Sequence, residues 1–449
     1  MAIEAPTKSP RPPADAARGS DAYLEPNRVE ALLSNNNVLH VHQPKRSTDG
    51  TIQRAVDTAL AQNPSIEDPW TIVVHPGFYN EAVVINGQHI SLVGYDPSNT
   101  VIYTDPKQGA YSVHGTQYPD GTTKWMGYPL TIEAEALPVF LGEYPMGHVN
   151  VHGLRFSNRH NPDGTGEGAP NHAAILVKSG GSIYNTVDPI TISNCIIDGT
   201  EHAVEILGTL YDPIAYKAPP LIHFYNNLVR TAHFGLAAYG DVRLRSHGNQ
   251  FWINSDGDIP WQDSDRIKAW KTGGIVHGSQ SAGVLDTLSF LESHGDSIFM
   301  EGSDAKIGTM SGDYAAGVVI NEAASGSAIE VAISGLVVRA VMDIADSFTL
   351  AGFYVLNGTN VWAAGRCKIF NSMFEVHQVN AAGPTDVVGI NIAAVGAGDV
   401  VEVANCWIDG TNANGTAYAM ETGETINRAN VYSRLSNAAG GTYGALATV

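Results

Sequence analysis

The chain is 449 residues long, 43% hydrophobic and only 16% charged, with 47 glycines and a formal net charge of −20. This balance suits an extended core with many turns, and the acidic excess excludes a sequence-independent nucleic-acid binder, which needs a basic face. Cys195, Cys367 and Cys406 make neither a closed disulfide framework nor a C-x-x-C spacing, and no run is long and apolar enough to cross a membrane as a helix.

The first segment, MAIEAPTKSPRPPADAARGS, has no apolar h-region, so no secretory signal is expected and assembly in the cytosol follows. Residues 1–45 are rich in Pro and polar groups and read as an N-terminal arm for attachment or docking. In STDGTIQRAVDTALAQNP, Ile52, Ala55, Val56, Ala59 and Leu60 share one helical face, with Asp49 as a candidate N-cap and Pro64 closing the run. The spacing predicts a helix over 51–62. After it the pattern alternates apolar and polar through TIVVHPGFY, AVVING and HISLVGY, so short strands separated by Gly, Asn and Pro turns are expected.

From residue 149 one phrase recurs: VNVHGLRFSN, ITISNCIIDGT, LIHFYNNLVRT, VRLRSHGNQFW, CKIFNSMFEVH and VEVANCWIDGT. Each is an alternating strand, a tight turn at Asn or Gly, and a second strand. Such units with loops of varying length mark an all-β parallel β-helix, in which each coil buries its inward face against the coils above and below. The helix at 51–62 would cover the open edge of the first coil. Asn194 and Asn405 are expected to stack along the axis, Cys195 and Cys406 to fill the interior, and Asp198 and Asp409 to start D-G turns. The body is read as 46–302. Residues 303–449, low in charge and rich in Ala, Gly and Val, are either its continuation or an oligomerisation domain.

The stretches GTIQRAVDTAL, TIVVHPGFYNEAVVI and HISLVGYDPSNTVIY, followed by VNVHGLRFSN, resemble the pectin-lyase-like superfamily, and within it the pectin methylesterases, over roughly residues 48–240. The resemblance implies a right-handed parallel β-helix with an N-terminal capping helix. The family's chemistry uses one aspartate as nucleophile and another as general acid and base, near a glutamine that polarises the oxyanion. At the first matching place the chain reads GTEHAVEI, with Glu201 and His202. At the second it reads RTAHFGLAAYG, with Ala232 and His233. Neither aspartate is present, so esterase activity is not expected at those positions. HGDSIFMEG, residues 294–302, is a faint echo of the second motif, placed later in the chain.

Glycoside hydrolysis needs two carboxyls roughly 5 to 9.5 Å apart. Asp256, Asp258, Asp263 and Asp265 lie in one insert with Trp252, Trp261 and Trp270 around them, and aromatic rings suit the apolar face of a sugar. Glu201, His202, Glu205 and His233 form a second candidate patch, with Glu201 and His233 as acid–base partners. His40 and His42 stand two apart without an evident third ligand, so no metal and no cofactor is expected. In outline the chain is similar to a bacteriophage tailspike. That implies a homotrimeric virion protein held to other virion proteins through residues 1–45, possessing a polysaccharide-binding surface. A polysaccharide depolymerase or divergent carbohydrate esterase is the alternative.

Overall fold

The computed structural model describes residues 37–43, 51–87, 89–104, 111–112, 128–133, 148–158, 173–178, 189–199, 202–208, 220–231, 233–240, 242–254, 271–279, 289–303, 313–322, 329–343, 348–356, 366–380, 386–392, 400–413, 417–422, 426–437 and 442–445. Among them the chain forms one helix, α1 (Thr51–Leu60), and short strands. Each full coil gives one strand to each of three parallel sheets. In one coil, Ile190–Ser193 joins sheet 1, Ile196–Asp198 joins sheet 2 and His202–Leu207 joins sheet 3. Sheet 1 holds twelve strands in chain order, from Val38–Val41 to Ile426–Ala429. Sheets 2 and 3 share the long strand Gly77–Asn86, whose first half pairs with Thr100–Thr104 and whose second half pairs with Leu130–Glu133. This is the parallel β-helix expected from the recurring phrase. The strands of residues 329–437 stay in the same ladders, so the C-terminal section continues the coil. The body also begins before residue 45, because Val38–Val41 pairs with Trp70–Val74.

Alternation along each strand sends every second side chain inward. Register stacks like on like: Ile90, Val149, Ile190, Ile222, Leu244 and Leu291 follow one another up sheet 1. All six are at most 1% exposed. Burying each such side chain is worth about 1.5–3 kcal/mol, and a single coil cannot bury them without its neighbours.

Between sheets 1 and 2 the chain turns in two residues. From Gly153 through Asn194, Asn226, Gly248, Gly295, Gly335, Asn371 and Asn405 to Asn430, the first turn residue has φ between 51 and 67°. Only glycine and asparagine adopt that left-handed region readily. The second residue points inward, as Cys195, Asn227, Asn249, Asp296, Ser372 and Cys406 do, each 3% exposed or less. Burial pushes the Cys195 and Cys367 thiols up to about 12, which leaves them unreactive packing groups.

This explains most of the repeated Asn-Cys-x-Ile-Asp-Gly-Thr phrase, with one correction. Asp409 does not start a turn, because it lies inside the strand Trp407–Asn412, whereas Asp198 ends the strand Ile196–Asp198 and residues 200–201 after it lie outside the described ones. Each points sideways to an arginine on the next coil: Arg230 Nε donates to Asp198 Oδ1 at 2.6 Å, and Arg434 Nη2 lies 2.6 Å from Asp409 Oδ2. Asp198 also accepts from Arg155 Nε at 2.7 Å and is fully buried between the two. The charge pairing across coils, rather than the following glycine, sets the residue type.

At the corner between sheets 2 and 3, Gly235, Gly274, Gly317, Gly352 and Gly389 stack over successive coils. A Cβ on Gly274 would stand 2.5 Å from Ile298 Cγ2 and 2.8 Å from the Gly317 carbonyl oxygen. The missing side chain makes room for a large inward residue of sheet 2 on the coil above.

Helix α1 closes the N-terminal end as expected, with Ile52, Ala55, Val56 and Ala59 buried against the first coil. Asp49 lies outside the described residues. Groups at the N-terminus of α1 donate to the neighbouring strand: Ile52 N donates to Glu81 Oε2, Gln53 N donates to the same oxygen, and Thr51 Oγ1 donates to Glu81 Oε1, all at 3.1–3.2 Å. Gln53 acts as a one-residue strand. Its amide accepts from Val84 N at 2.6 Å and donates to Val84 O at 3.0 Å, which pairs backbone groups that an edge strand would leave open. At the other end, Thr442–Ala445 runs antiparallel to Tyr432–Asn437.

Candidate functional site

The three outer faces differ in chemistry. On sheet 3, His202 and Glu205 lie three apart on one strand, with His202 Nδ1 3.9 Å from Glu205 Oε2. Phe234 and Tyr239, from the next coil, flank the imidazole with ring centroids at 5.0 and 6.4 Å. His233 sits edge-on to Phe234. His202 and Glu205 thus approach each other and His233 adjoins Phe234, while Glu201 and Ala232 lie outside the described residues. In register beyond Glu205 come Ala237, Val276 and Val319, at most 2% exposed. Beyond the acid–imidazole pair this ladder is therefore apolar and buried. Asp296, the aspartate of HGDSIFMEG, is not on it. It is an inward turn residue, accepting from Asn249 N at 2.8 Å and from Ser293 Oγ at 2.7 Å. Burial raises its carboxyl above the ordinary value, partly offset by these donors.

Sheet 2 carries exposed aromatics. Trp252 is 51% exposed, and its ring centroid lies 5.2 Å from that of Phe299 on the next coil. Asp256, Asp258, Asp263, Asp265, Trp261 and Trp270 lie outside the described residues. A second pair, Trp407 and Tyr432, was not singled out from the sequence. These rings are 44% and 53% exposed and stacked, with centroids 6.4 Å apart. Beside them run Asn371, Asn405 and Asn430, linked amide to amide at 3.1 and 3.0 Å. Together these groups line an open cavity of about 500 Å³. The signal was present: Trp407 and Tyr432 each follow a turn asparagine by two residues, in NCW and NVY.

On sheet 1, His40 and His42 meet a third histidine that the sequence reading did not supply. His40 Nδ1 lies 3.1 Å from His75 Nε2, and His42 stacks on His75 with centroids 3.8 Å apart. Stacked rings send their nitrogens sideways rather than to a common point, so this cluster is a poor metal cage. Burial and the neighbouring imidazoles hold His42 and His75 below the ordinary histidine value.

No family model and no curated protein matches the chain. Among solved structures it is similar to Escherichia coli YbhC, with 14% identity over 68% of this chain and 71% of that one and a TM-score of 0.35. The pectin methylesterase from Yersinia enterocolitica is 13% identical over 84% of this chain and 89% of its own, with a TM-score of 0.33. The pectin methylesterase from carrot is 11% identical over 83% and 88%, with a TM-score of 0.35. At these identities and TM-scores the likenesses transfer no activity. By its own strand order the chain is a parallel β-helix.

Proposed function

We propose that the chain is a structural shaft of a virus particle that binds polysaccharide along sheet 2, and that binding rather than esterase chemistry is its work. One observation carries the binding: aromatic rings pair across adjacent coils on sheet 2, exposed Trp252 with half-buried Phe299 and exposed Trp407 with exposed Tyr432. Aromatic faces pack the apolar faces of pyranose rings, and the amides of Asn371, Asn405 and Asn430 supply hydrogen bonds beside the second pair. The test is titration with acidic and neutral polysaccharides, read by tryptophan fluorescence. Binding that weakens in Trp407→Ala or Trp252→Ala, with unchanged melting, supports the reading. A protein inert to every glycan, or variants that bind like the wild type, refutes it.

The particle role brings two further expectations, trimeric assembly and docking through the N-terminal arm. Light scattering on the full chain and on a form lacking residues 1–36, which spares the strand Val38–Val41, tests both. A trimer in both forms, with particle association lost on truncation, is the expected result.

A hydrolytic reading is favoured by one observation, the approach of His202 to Glu205 beside Phe234 and Tyr239. Release of reducing ends or methanol, abolished by Glu205→Gln, would establish it.

A further inference from the structure

The outer face of sheet 1 carries a cluster that the function above does not use. His247 ends the strand Arg243–His247, and Glu292 and His294 lie two apart on the neighbouring strand Ser289–His294. Side chains alternate along a strand, so Glu292 and His294 share a face. His247 pairs in register with His294. The three side chains thus start from the corners of a right-angled triangle, about 4.8 Å across strands and about 6.7 Å along one. Their tips converge further: one ligating atom from each lies within 4.8 Å of the other two.

Two neighbours orient the set. Ser334 Oγ lies 2.6 Å from His294 Nδ1, so a proton held there leaves the Nε2 lone pair free. Arg245 Nε donates to Glu292 Oε2 at 2.7 Å and fixes the carboxylate while leaving Oε1 available. Metal-binding imidazoles and carboxylates are held by such second partners. His247 Nε2 is buried and makes no hydrogen bond among the described residues. A bound cation would satisfy it.

We infer that His247, Glu292 and His294 form a binding site for a divalent cation of the zinc class. Two imidazoles and one carboxylate suit zinc and its late first-row neighbours. A calcium ion needs six to eight oxygens, whereas this set offers one carboxylate, already shared with Arg245. The three ligands come from two adjacent strands of one face, which leaves the outward side of the ion open to water or to an external ligand.

The experiment uses the full-length, untagged protein stripped with a chelator. Co²⁺ is titrated and its visible d–d band followed, then Zn²⁺ is titrated by calorimetry and by displacement of the cobalt. One equivalent of Co²⁺ with a ligand-field band, displaced by Zn²⁺, is expected. Binding should be lost in His247→Gln and in His294→Gln, weakened about tenfold or more in Ser334→Ala, and unchanged in His40→Gln with His75→Gln. Each variant is checked for wild-type melting. Glu292→Gln, which keeps an acceptor for Arg245, replaces a histidine variant that fails to fold. Absence of a cobalt band and of zinc heat in the wild type overturns the inference, as does a band that survives loss of the ligands.

Discussion

Replacing Gly317 by alanine asks whether the stacked glycines are there for room. The added Cβ would stand 2.6 Å from both Val338 methyl carbons and 2.7 Å from the Gly352 carbonyl oxygen. Against the valine methyls that is 0.8 Å short of the 3.4 Å at which ordinary contact begins. Val338 is fully buried and, being β-branched, has little rotamer freedom to retreat. The oxygen belongs to backbone, so it cannot swing aside either. Overpacking of a close-packed core costs about 1–3 kcal/mol, and a rigid obstacle on both sides puts this variant near ~3 kcal/mol. Gly295 is the control. Its Cβ would meet nothing within 4 Å, but its φ is +65. Gly295→Ala should therefore cost only about 1–2 kcal/mol, from left-handed backbone strain, and Gly295→Asn less still, because asparagine fills the same turn at Asn194 and Asn405. Urea unfolding followed by circular dichroism gives the costs. Hydrogen exchange should place the Gly317→Ala damage on its own coil and on the next, which carries both Val338 and Gly352, with distant coils protected as before, since a solenoid couples nearest neighbours. A Gly317→Ala variant within about 0.5 kcal/mol of wild type, or one milder than Gly295→Ala, would refute the steric account.

Asp296→Asn should stabilise the protein near neutral pH. Burial raises the Asp296 carboxyl in the fold, so the group's contribution is complete below the ordinary carboxylate value and is lost as pH rises through the folded one. An amide, as at Asn227 and Asn249, has no such loss, so the difference in melting temperature should close in acid; a gap independent of pH would contradict this. Glu81 follows the same sign: burial pushes it up to about 7 despite the helix amides that oppose the shift. Glu81→Gln should flatten melting temperature across the range between the ordinary glutamate value and about 7, while Glu81→Ala should lose ~1–2 kcal/mol of cap. Asp198→Ala leaves Arg155 and Arg230 facing each other without their carboxylate and should cost about 3 kcal/mol in urea unfolding. Asp409→Ala, whose partner Arg434 is 55% exposed, should cost under about 1 kcal/mol.

The coil was legible because its requirements are local and repeat. The left-handed residue between sheets 1 and 2 is Gly or Asn at each described turn, and alternation marks the inward face, so the phrases around Asn194, Asn226 and Asn405 announced the fold. The glycine corner was harder to see. Its period is one residue per coil, and the reason for Gly274 lies in Ile298, a residue of the next coil. The same distance hid the partners of Asp198, because Arg155 and Arg230 arrive from neighbouring coils. Trp252 was visible because it stands near a run of aspartates. Trp407 and Tyr432 become a pair only through the register that joins their strands. His247, Glu292 and His294 match no sequence motif for a similar reason, since the ladder rather than the chain makes them neighbours.

The inward turn ladder has a consequence for how such a molecule changes size. Asn227 and Asn249 are separated by 22 residues, and Asn249 and Asp296 by 47, yet each pair is joined by one hydrogen-bonded step. Distance along the axis is counted in turns, not in amino acids. The twelve rungs of sheet 1 span about 53 Å at ~4.8 Å per step. Duplicating or deleting one coil would move everything above it by a single step and leave each outer face in its own direction. Lineages can therefore lengthen or shorten this ruler, and enlarge the loops at any mark on it, without redesigning the surfaces it carries.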